Sequence, residues 1–378
     1  MKNIALIGST GSIGTQTLNV VRRNPDKFRI VSLAAGHNIQ RLKEQIKEFG
    51  PLVATAFSEP SYGDLSFGKT ECFYGEEAFK NAIIEEADIV LVALVGFKGI
   101  LAVSEAIKKG KTVALANKES LVAGGEIVMS EAKKRGVKII PVDSEHSAVF
   151  QALGFDFDKS FERIILTASG GAFRDYTKKE LESVTAKDAL KHPNWNMGAK
   201  ITVDCATLVN KAFEVTEAKW LYNAPFEKID VVIHWESIIH SMVEFLDGSV
   251  IAQMSYPTME IPIALALTYP ERIKSKVSPL NLAKVGKLTF SEIDKDKFPC
   301  FDLVLAAAKA GGTYPAVANG ANDAAVELFL KDKISYKDIY SAIYGALESF
   351  KGEKVCSYEN VVSADRFARE YVKSKYGV

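Results

Sequence analysis

The sequence has few cysteines, no excess of charge of either sign and no long apolar run. Its four cysteines lie far apart without a CxxC spacing, so neither a zinc site nor a disulfide framework is indicated. The 47 basic residues balance the 47 acidic ones, so no overall field attracts nucleic acid or a membrane surface. The longest apolar stretch, 89–97, is about half of the roughly 20 residues that cross a bilayer. The first apolar run breaks at Gly8, too early for a signal peptide.

The chain is 378 residues long with 47% hydrophobic residues, so we expect two or three domains with substantial cores. Up to residue 143, β-rich runs alternate with amphipathic stretches, which predicts a doubly wound, Rossmann-like α/β domain with a parallel sheet. Residues 144–268 read as an α+β domain, in which "DGS" joins two strands as a hairpin. Residues 269–294 read as a linker and 295–378 as a small helical bundle.

A glycine-rich turn follows the first predicted strand. "GSTGSIG" places Gly8, Gly11 and Gly14 between this strand and the first helix, where backbone NH groups can approach a pyrophosphate. A plain strand-to-helix turn is the alternative, but the position at the start of a βαβ series favours a nucleotide. The second strand lacks the acid that binds the ribose of NAD and ends in Gly36, His37 and Asn38. We therefore predict NADP rather than NAD.

Polar side chains follow the fifth predicted strand, "KTVALA", and the sixth, "VKIIPV". In open α/β sheets, ligands bind at these carboxyl ends of strands. After the fifth come Asn117, Lys118 and Glu119, which an ordinary helix start with Asn117 as cap would also explain. After the sixth comes "VDSEH". If this segment is extended, Asp143 and Glu145 point to the same side, where two acids repel each other unless a cation or proton joins them.

The second domain offers further polar groups. A helix predicted to begin near Asp204 brings Asn210, Lys211 and Glu214 within reach of one another, although Lys211 and Glu214 alone favour a plain surface ion pair. Ser169 begins a Gly-Gly turn that either cradles phosphate or is only a turn. "KHPNWNMG" reads as a loop whose tryptophan either covers a ligand or enters a core.

Together these stretches resemble the 1-deoxy-D-xylulose 5-phosphate reductoisomerases, NADPH-dependent enzymes that make 2-C-methyl-D-erythritol 4-phosphate for isoprenoid precursors. The matching motifs are "GSTGSIG", "LANKESLV", "PVDSEHSA", "TASGGAFR", "HPNWNMG", "VDCATLVNK", "SIIHSMVEF" and "NGANDAAVELFL". Each motif alone is weakly specific, but their number and order make the resemblance specific.

The resemblance implies roles for individual residues. It implies that Mg²⁺ or Mn²⁺ is bound by Asp143, Glu145 and Glu214. It implies that catalysis involves these three acids with Lys118 and His192. Contacts to the substrate fall on Lys118, Ser144, Glu145 and Glu214 at its hydroxyl end, on Ser169, Cys205, Asn210 and Lys211 at its phosphate, and on His192 and Trp195 in a mobile loop. Cofactor contacts fall on Thr10, Gly11, Ser12, Ile13, Gly36, His37, Asn38, Asn117, Glu119 and Gly198.

Two departures from the family pattern bear on these roles. Cys205 stands where the family usually has a serine that donates to the phosphate, and a thiol is a poorer donor. Trp235 and Glu236 replace a common proline and glutamine, which we interpret as structural. His146 has no implied role and is also expected to be structural.

The implied reaction is a metal-assisted rearrangement of the sugar phosphate followed by hydride transfer from NADPH, and a retro-aldol/aldol route and a concerted ketol shift would use the same residues. The rivals are another NADP-dependent dehydrogenase, for example of the semialdehyde type, and a non-catalytic NADP-binding sensor. Turnover that depends on a divalent metal distinguishes the implied enzyme from the other dehydrogenase. NADP binding without turnover identifies the sensor. The resemblance further implies a homodimer joined through the middle domain and a bacterial cytoplasmic location.

Overall fold

The computed structural model describes residues 1–58 and 68–377. By its internal contacts the chain forms two compact units. The first unit contains Met1–Ser120, Val128–Ser144 and Thr258–Val277. The second unit contains Leu121–Ile127, Glu145–Pro257 and Ser278–Val378. The predicted domain borders stay a prediction, and they differ from this division most at Thr258–Val277, which returns to the first unit.

The elements follow one another from a β/α half to a helical end. The strands are β1 (Lys2–Ile7), β2 (Phe28–Ala35), β3 (Val53–Ala56), β4 (Glu71–Tyr74), β5 (Ile89–Val92), β6 (Thr112–Leu115), β7 (Ile139–Pro141), β8 (Arg163–Ala168), β9 (Ile229–His234), β10 (Ile239–Glu244), β11 (Val250–Met254) and β12 (Phe290–Ser291). The helices are α1 (Ser12–Arg22), α2 (Ile39–Phe49), α3 (Lys98–Lys108), α4 (Glu119–Arg135), α5 (Ser144–Ala152), α6 (Ala186–Ala189), α7 (Ala199–Ala206), α8 (Val209–Leu221), α9 (Glu260–Thr268), α10 (Leu282–Val285), α11 (Pro299–Ala310), α12 (Tyr314–Leu330), α13 (Tyr336–Glu348) and α14 (Tyr358–Tyr376).

Parallel strands form the core of the first unit. Within the described residues its sheet has seven strands in the order β4-β3-β2-β1-β5-β6-β7, and every neighbouring pair is parallel. Strand order reverses between β1 and β5, so the glycine-rich turn after β1 lies at the switch point where such sheets bind ligands. The predicted alternation of strands and helices and the Rossmann-like class are confirmed. The edge strand β4 was not predicted.

Local signals explain the ends of α2. Ile39, Leu42 and Ile46 recur at helical spacing, and the last two are fully buried. The Asn38 side chain accepts a hydrogen bond from the backbone NH of Arg41, which caps the amino end. Gly50 ends the helix with φ +53°, a left-handed conformation that glycine adopts without strain. The sequence therefore accounts for both ends of this helix.

A mixed sheet and helices build the second unit. In the described part of the chain the sheet has five strands in the order β11-β10-β8-β9-β12. Only β8 and β9 pair in parallel, while β10 and β11 form the predicted hairpin around Asp247–Ser249. Helix α12 is almost entirely buried among α7, α11, α13 and α14. The predicted linker is not featureless, because it contains α10 and β12. Among the residues described, no helix has the length and apolar character required to cross a bilayer.

Candidate active site

The turn between β1 and α1 forms an open cradle. Gly8 has φ +100°, and a Cβ there would lie 2.5 Å from the Ala93 carbonyl oxygen. A Cβ on Gly14 would lie 2.2 Å from the Gly8 carbonyl oxygen. A Cβ on Gly11 would approach no described protein atom closer than 3.5 Å. The fold itself therefore requires Gly8 and Gly14, whereas Gly11 leaves space outside the amino end of α1.

The amino end of α1 suits an anion. Gly11 is the N-cap residue, and no described side chain caps it or places an acid in the first turn. Unpaired backbone NH groups and the helix dipole both favour negative charge at this position. Thr10 precedes the cap, and Ser12 and Ile13 open the helix, so these predicted cofactor residues surround the same helix end.

The end of β2 lies beside β1 and carries no acid. Gly36 is half-buried, and His37 is exposed, with its Nδ1 2.6 Å from the Ser58 hydroxyl oxygen. Asn38 caps α2, as described above. The structure gives His37 a neighbour that sequence reasoning had not identified, and its predicted cofactor contact stays a prediction.

Asn117 and Glu119 hold the loop after β5. The Asn117 amide, 1% exposed, donates to the carbonyl oxygens of Leu94 and Gly96 at 3.0 and 2.9 Å. The Asn117 side-chain oxygen accepts a hydrogen bond from the Ser120 backbone NH at 3.1 Å. Asn117 therefore caps α4, as the alternative of an ordinary helix start proposed. Glu119 accepts from the Gly96 NH at 3.2 Å. Both side chains shape the carboxyl edge of the sheet whether or not they touch a cofactor.

Lys118 and Asp143 meet at the carboxyl ends of two neighbouring strands. Lys118 Nζ donates to Asp143 Oδ2 at 3.1 Å after β6 and β7. The lysine is 8% exposed and the aspartate half-buried, so the pair is partly shielded from water. Sequence reasoning placed the two at the same edge of the sheet, and the structure brings them together.

The segment after Asp143 is helical, so the extended-strand argument for Asp143 and Glu145 is wrong. Helix α5 begins at Ser144, and Glu145 lies in its first turn, where a carboxylate is stabilised by the helix dipole. Glu145 therefore takes its direction from α5, not from strand alternation. Ser144, also half-buried, opens the helix between the two acids.

Lys211 joins two acids of the second unit. Its Nζ lies 2.9 Å from Glu145 Oε1 and also donates to Glu214 Oε2 in a very short contact. Carboxylate oxygens of Glu145 and Glu214 come within 4.8 Å of each other. Burial lowers the pKa of Lys211, but the two carboxylates outweigh burial and hold that pKa above its ordinary value. Lys211 is therefore a fixed positive charge between two acids.

Two expectations about this helix are wrong. Lys211 is 3% and Glu214 1% exposed, so their pair is buried and not a surface ion pair. The helix predicted to begin near Asp204 is two helices, because α7 ends at Ala206 and α8 begins at Val209. Leu208 stands between them with φ +59°. The predicted grouping of Asn210, Lys211 and Glu214 on one helix is confirmed, and Asn210 Nδ2 donates to Glu214 Oε1 at 2.5 Å.

Ser169 and His192 form a hydrogen-bonded pair after β8. Ser169 Oγ lies 2.9 Å from His192 Nε2. His192 Nδ1 accepts the backbone NH groups of Asn194 and Trp195 at 3.2 and 3.0 Å, so the proton must be on Nε2, which donates to Ser169. Burial, and then the positive charge of Arg174, lower the pKa of His192 to about 4. The serine hydroxyl hydrogen can then point to a ligand.

Asn194 fixes the loop around Trp195 to two residues that follow β9, Trp235 and Ser237. Asn194 Nδ2 donates to the Trp235 carbonyl oxygen at 2.6 Å and lies 2.7 Å from the Ser237 hydroxyl oxygen. Trp195 is half-buried, with its ring edge-to-face with His240 at 6.0 Å between centroids. A half-buried ring does not fit a core tryptophan, and its predicted place over a ligand stays a prediction. The loop ends at Gly198, the N-cap of α7.

Sequence reasoning missed two residues that hold the Ser169 turn and the loop around Trp195 in place. Arg174 donates to the carbonyl oxygens of Ser169 and Trp235 at 3.2 and 3.0 Å, so it fixes the Gly-Gly turn. Asn194 anchors the loop. Arg174 closes the "TASGGAFR" motif, which was the one available signal, whereas nothing near Asn194 in the sequence indicated its partners.

Cys205 and the residues expected to be structural occupy defined places. Cys205 is half-buried near the end of α7, and a Cβ on Gly171 would lie 2.3 Å from its carbonyl oxygen, so the Ser169 turn packs against this helix end. His146 is fully buried, 3.3 Å from Glu217. Glu236 accepts hydrogen bonds from the NH and hydroxyl of Thr289, which agrees with a structural role.

Comparison with known proteins gives three matching family models. The one described as "1-deoxy-D-xylulose 5-phosphate reductoisomerase" covers residues 4–125, the one described as its C-terminal domain covers 139–222, and "DXP reductoisomerase C-terminal domain" covers 254–371. A reductoisomerase of this name from Pelodictyon phaeoclathratiforme is 49% identical over 378 residues, 99% of each chain. This chain belongs to the 1-deoxy-D-xylulose 5-phosphate reductoisomerase family. A Bacillus thuringiensis reductoisomerase is 48% identical, covering 98% of this chain and 97% of that one.

Solved reductoisomerase structures have the same fold. The Zymomonas mobilis reductoisomerase, in complex with NADPH, superposes with a TM-score of 0.92 at 37% identity and 99% coverage of both chains. Another reductoisomerase, in complex with NADPH, fosmidomycin and magnesium, superposes with a TM-score of 0.93 at 37% identity, covering 100% of this chain and 98% of that one. The predicted fold class and family are therefore confirmed.

Proposed function

We propose that this protein converts 1-deoxy-D-xylulose 5-phosphate to 2-C-methyl-D-erythritol 4-phosphate, using NADPH and Mg²⁺ or Mn²⁺, in isoprenoid precursor synthesis. The first unit binds NADPH, and the second carries most of the substrate and metal contacts. The observation that carries this proposal is the pair of acids Glu145 and Glu214 on the buried ammonium of Lys211. An ordinary NADP dehydrogenase does not need such a pair.

The acid set fits a hard divalent cation. Glu145 and Glu214 supply oxygen ligands without His or thiolate, and Asp143 adds a third only two residues before Glu145 in the chain. This acid pair already binds one positive charge, the Lys211 ammonium. A bound Mg²⁺ or Mn²⁺ would act as a Lewis acid on the substrate's oxygens during the rearrangement.

The cradle of the first unit fits NADPH, which would supply the hydride. The backbone NH groups of Ser12 and Ile13 face the space that Gly11 leaves, where a pyrophosphate is stabilised. The end of β2 carries no carboxylate to repel a 2′-phosphate. His37 lies exposed beside Ser58 at the same strand end and offers a polar ring to that site.

The second unit holds the substrate's phosphate. Lys211 supplies a full positive charge and Ser169 a hydroxyl donor. Asn210 Nδ2 uses one of its two N–H groups on Glu214 Oε1, and the other is the donor that we assign to the phosphate. The neutral His192 fixes the direction of the Ser169 hydroxyl by donating to its oxygen. Cys205 contributes a weaker donor than serine would.

The Asn194 loop shields the reaction from water. Asn194 lies between His192 and Trp195 and fixes their segment to Trp235 and Ser237, and the half-buried Trp195 ring presents a broad apolar surface. A ligand that this ring covers reacts in a drier environment, where charged contacts are stronger.

The test is NADPH oxidation with 1-deoxy-D-xylulose 5-phosphate, using protein stripped of metal by a chelator and then supplied with Mg²⁺ or Mn²⁺. We expect turnover only with metal, and 2-C-methyl-D-erythritol 4-phosphate as the product by mass spectrometry and NMR. No turnover under either condition refutes the assignment. Turnover of an amino-acid semialdehyde without metal would instead support the other dehydrogenase.

We propose that the active form is a homodimer joined through the hairpin sheet of the second unit. The edge strand β11 and its hairpin expose Leu246 at 70%, Val250 at 49% and Ile251 at 46%. Such an apolar edge is normally covered, and a second copy of the chain is the occupant that the family implies. Light scattering should give a dimer for the wild type and a monomer for Ile251→Lys. The control Leu282→Lys, which changes an exposed aliphatic residue outside the hairpin, should remain a dimer. A wild-type monomer at micromolar concentration refutes this.

We further propose a cytoplasmic location. All four cysteines lie in described segments and none of them is in a disulfide bond, which suits a reducing compartment. Fractionation of the cells that express the protein tests this, and recovery in an oxidising compartment would contradict it.

A further inference from the structure

A buried aspartate near the end of α7 is held by a residue from α12. Asp204 is 1% exposed and pairs with Lys200, one helical turn earlier, at 2.7 Å. Its other oxygen accepts a hydrogen bond from Asn322 Nδ2 at 2.8 Å. Asn322 is fully buried, and its own oxygen has no hydrogen-bond partner among the described residues. Asn322 therefore serves here as a donor to Asp204.

A second contact reaches the same helix end from α13. The Tyr336 hydroxyl donates to the carbonyl oxygen of Ala206, the last residue of α7, at 2.8 Å. Carbonyl groups at the end of a helix lack partners within the helix, so this bond satisfies one of them. The Tyr336 ring is fixed by edge-to-face packing on Phe173 and Phe329, with centroids 5.1 and 6.2 Å away. The donor is thus presented from a rigid position.

These two bonds stabilise a corner that is intrinsically strained. After Ala206 the chain turns through Leu208, whose φ of +59° is uncommon for a residue other than glycine. Within seven residues the corner carries Cys205, Asn210 and Lys211, the proposed phosphate contacts on this side. A small rotation of α7 against α8 would separate Cys205 from the other two.

We infer that Asn322 and Tyr336 are positioning residues for the substrate's phosphate: from the C-terminal helices they hold the α7–α8 corner so that Cys205, Asn210 and Lys211 meet the phosphate together. This inference rests on the proposed function. The helical end of the chain thereby contributes to substrate affinity without touching the substrate.

The first experiment exchanges the partners of the Asp204 contact. Asn322→Asp places two carboxylates against each other, and we expect the KM for 1-deoxy-D-xylulose 5-phosphate to rise about tenfold or more with a smaller change in kcat. The double variant Asp204→Asn with Asn322→Asp restores one donor and one acceptor, and we expect its KM within about threefold of the wild type. The Kd of NADPH should remain unchanged throughout.

The second experiment is Tyr336→Phe, which keeps the ring and removes only the hydroxyl. We expect a rise in KM of about threefold to tenfold, and a smaller increase in Tm on adding inorganic phosphate than the wild type shows. Tyr344→Phe, on the exposed side of the same helix, is the matched control and should behave as the wild type. If Asn322→Asp does not fold, this variant still decides the question.

The outcomes separate the inference from the proposed function. A wild type that does not turn over the substrate refutes the function. A wild type that turns it over, with Tyr336→Phe unchanged in both KM and phosphate stabilisation, overturns the inference. A fall in kcat with unchanged KM, or an equal loss of NADPH affinity, also overturns it, because a general structural defect would produce that pattern.

Discussion

Replacing Glu214 by glutamine removes one negative charge at almost constant volume. The Glu214 carboxylate accepts hydrogen bonds from Asn210 and Lys211. Removing one partner of a buried ion pair costs about 3 to 5 kcal/mol of unfolding free energy. Lys211 keeps Glu145 at 2.9 Å, so its charge is not left alone. We therefore expect the lower limit, about 3 kcal/mol, for the metal-free protein.

The same variant should lose metal and activity but keep NADPH. With one of the three proposed carboxylate ligands neutralised, we expect the affinity for Mn²⁺ to fall by about 100-fold or more and turnover to disappear. NADPH affinity should stay within about twofold, because the glycine cradle belongs to the first unit. Urea unfolding without metal, calorimetric titration with Mn²⁺ and NADPH fluorescence measure the three quantities separately. Glu227→Gln, an exposed acid of the same unit, is the control.

Two results would contradict this reasoning. If Glu214→Gln binds Mn²⁺ as tightly as the wild type, Glu214 is not a ligand and its burial serves only Lys211. If NADPH binding is lost while Mn²⁺ binding persists, Glu214 has been assigned to the wrong part of the site.

Three further predictions concern the cradle, the loop and the thiol. Gly11→Ala should raise the Kd of NADPH about tenfold with an unchanged Tm. Gly14→Ala should instead lower the Tm, because of the two only its Cβ would clash with backbone, 2.2 Å away. Equal losses of Tm in the two variants would contradict this. Since the pKa of His192 lies below its usual value, at about 4, the neutral ring stabilises the loop fully above about pH 6.5 and loses this effect as the pH falls toward 4. The protection factors of the amides around Trp195, measured relative to the intrinsic exchange rate at each pH, should fall over that range, and constant protection factors would contradict the proposed tautomer. Cys205→Ser should lower the KM of the sugar phosphate about threefold, and an unchanged KM would mean that residue 205 does not touch the phosphate.

The parallel sheet was predictable because its strands are buried on both faces and therefore appear as continuous apolar runs. The strand β4 was missed because "ECFY" begins with an exposed acid and lies at the edge, where burial leaves little pattern. The return of α9 to the first unit was also not predictable. Its contacts with α1 join positions more than two hundred residues apart, and no local feature of a helix identifies the partner on which it packs.

The acid site shows where sequence reasoning reaches its limit. The i,i+3 spacing of Lys211 and Glu214 is the same for an exposed pair, worth less than about 1 kcal/mol, and for a buried one that a protein retains only at considerable cost. Only packing distinguishes the two, because nearly all of α8 is buried. Glu145 contacts the same lysine from the first turn of a helix that begins at Ser144, although an extended segment had been assumed for it. The family resemblance thus gave the residues of the proposed site, and their roles stay a prediction. The directions of their side chains depended on helix starts that short motifs do not determine.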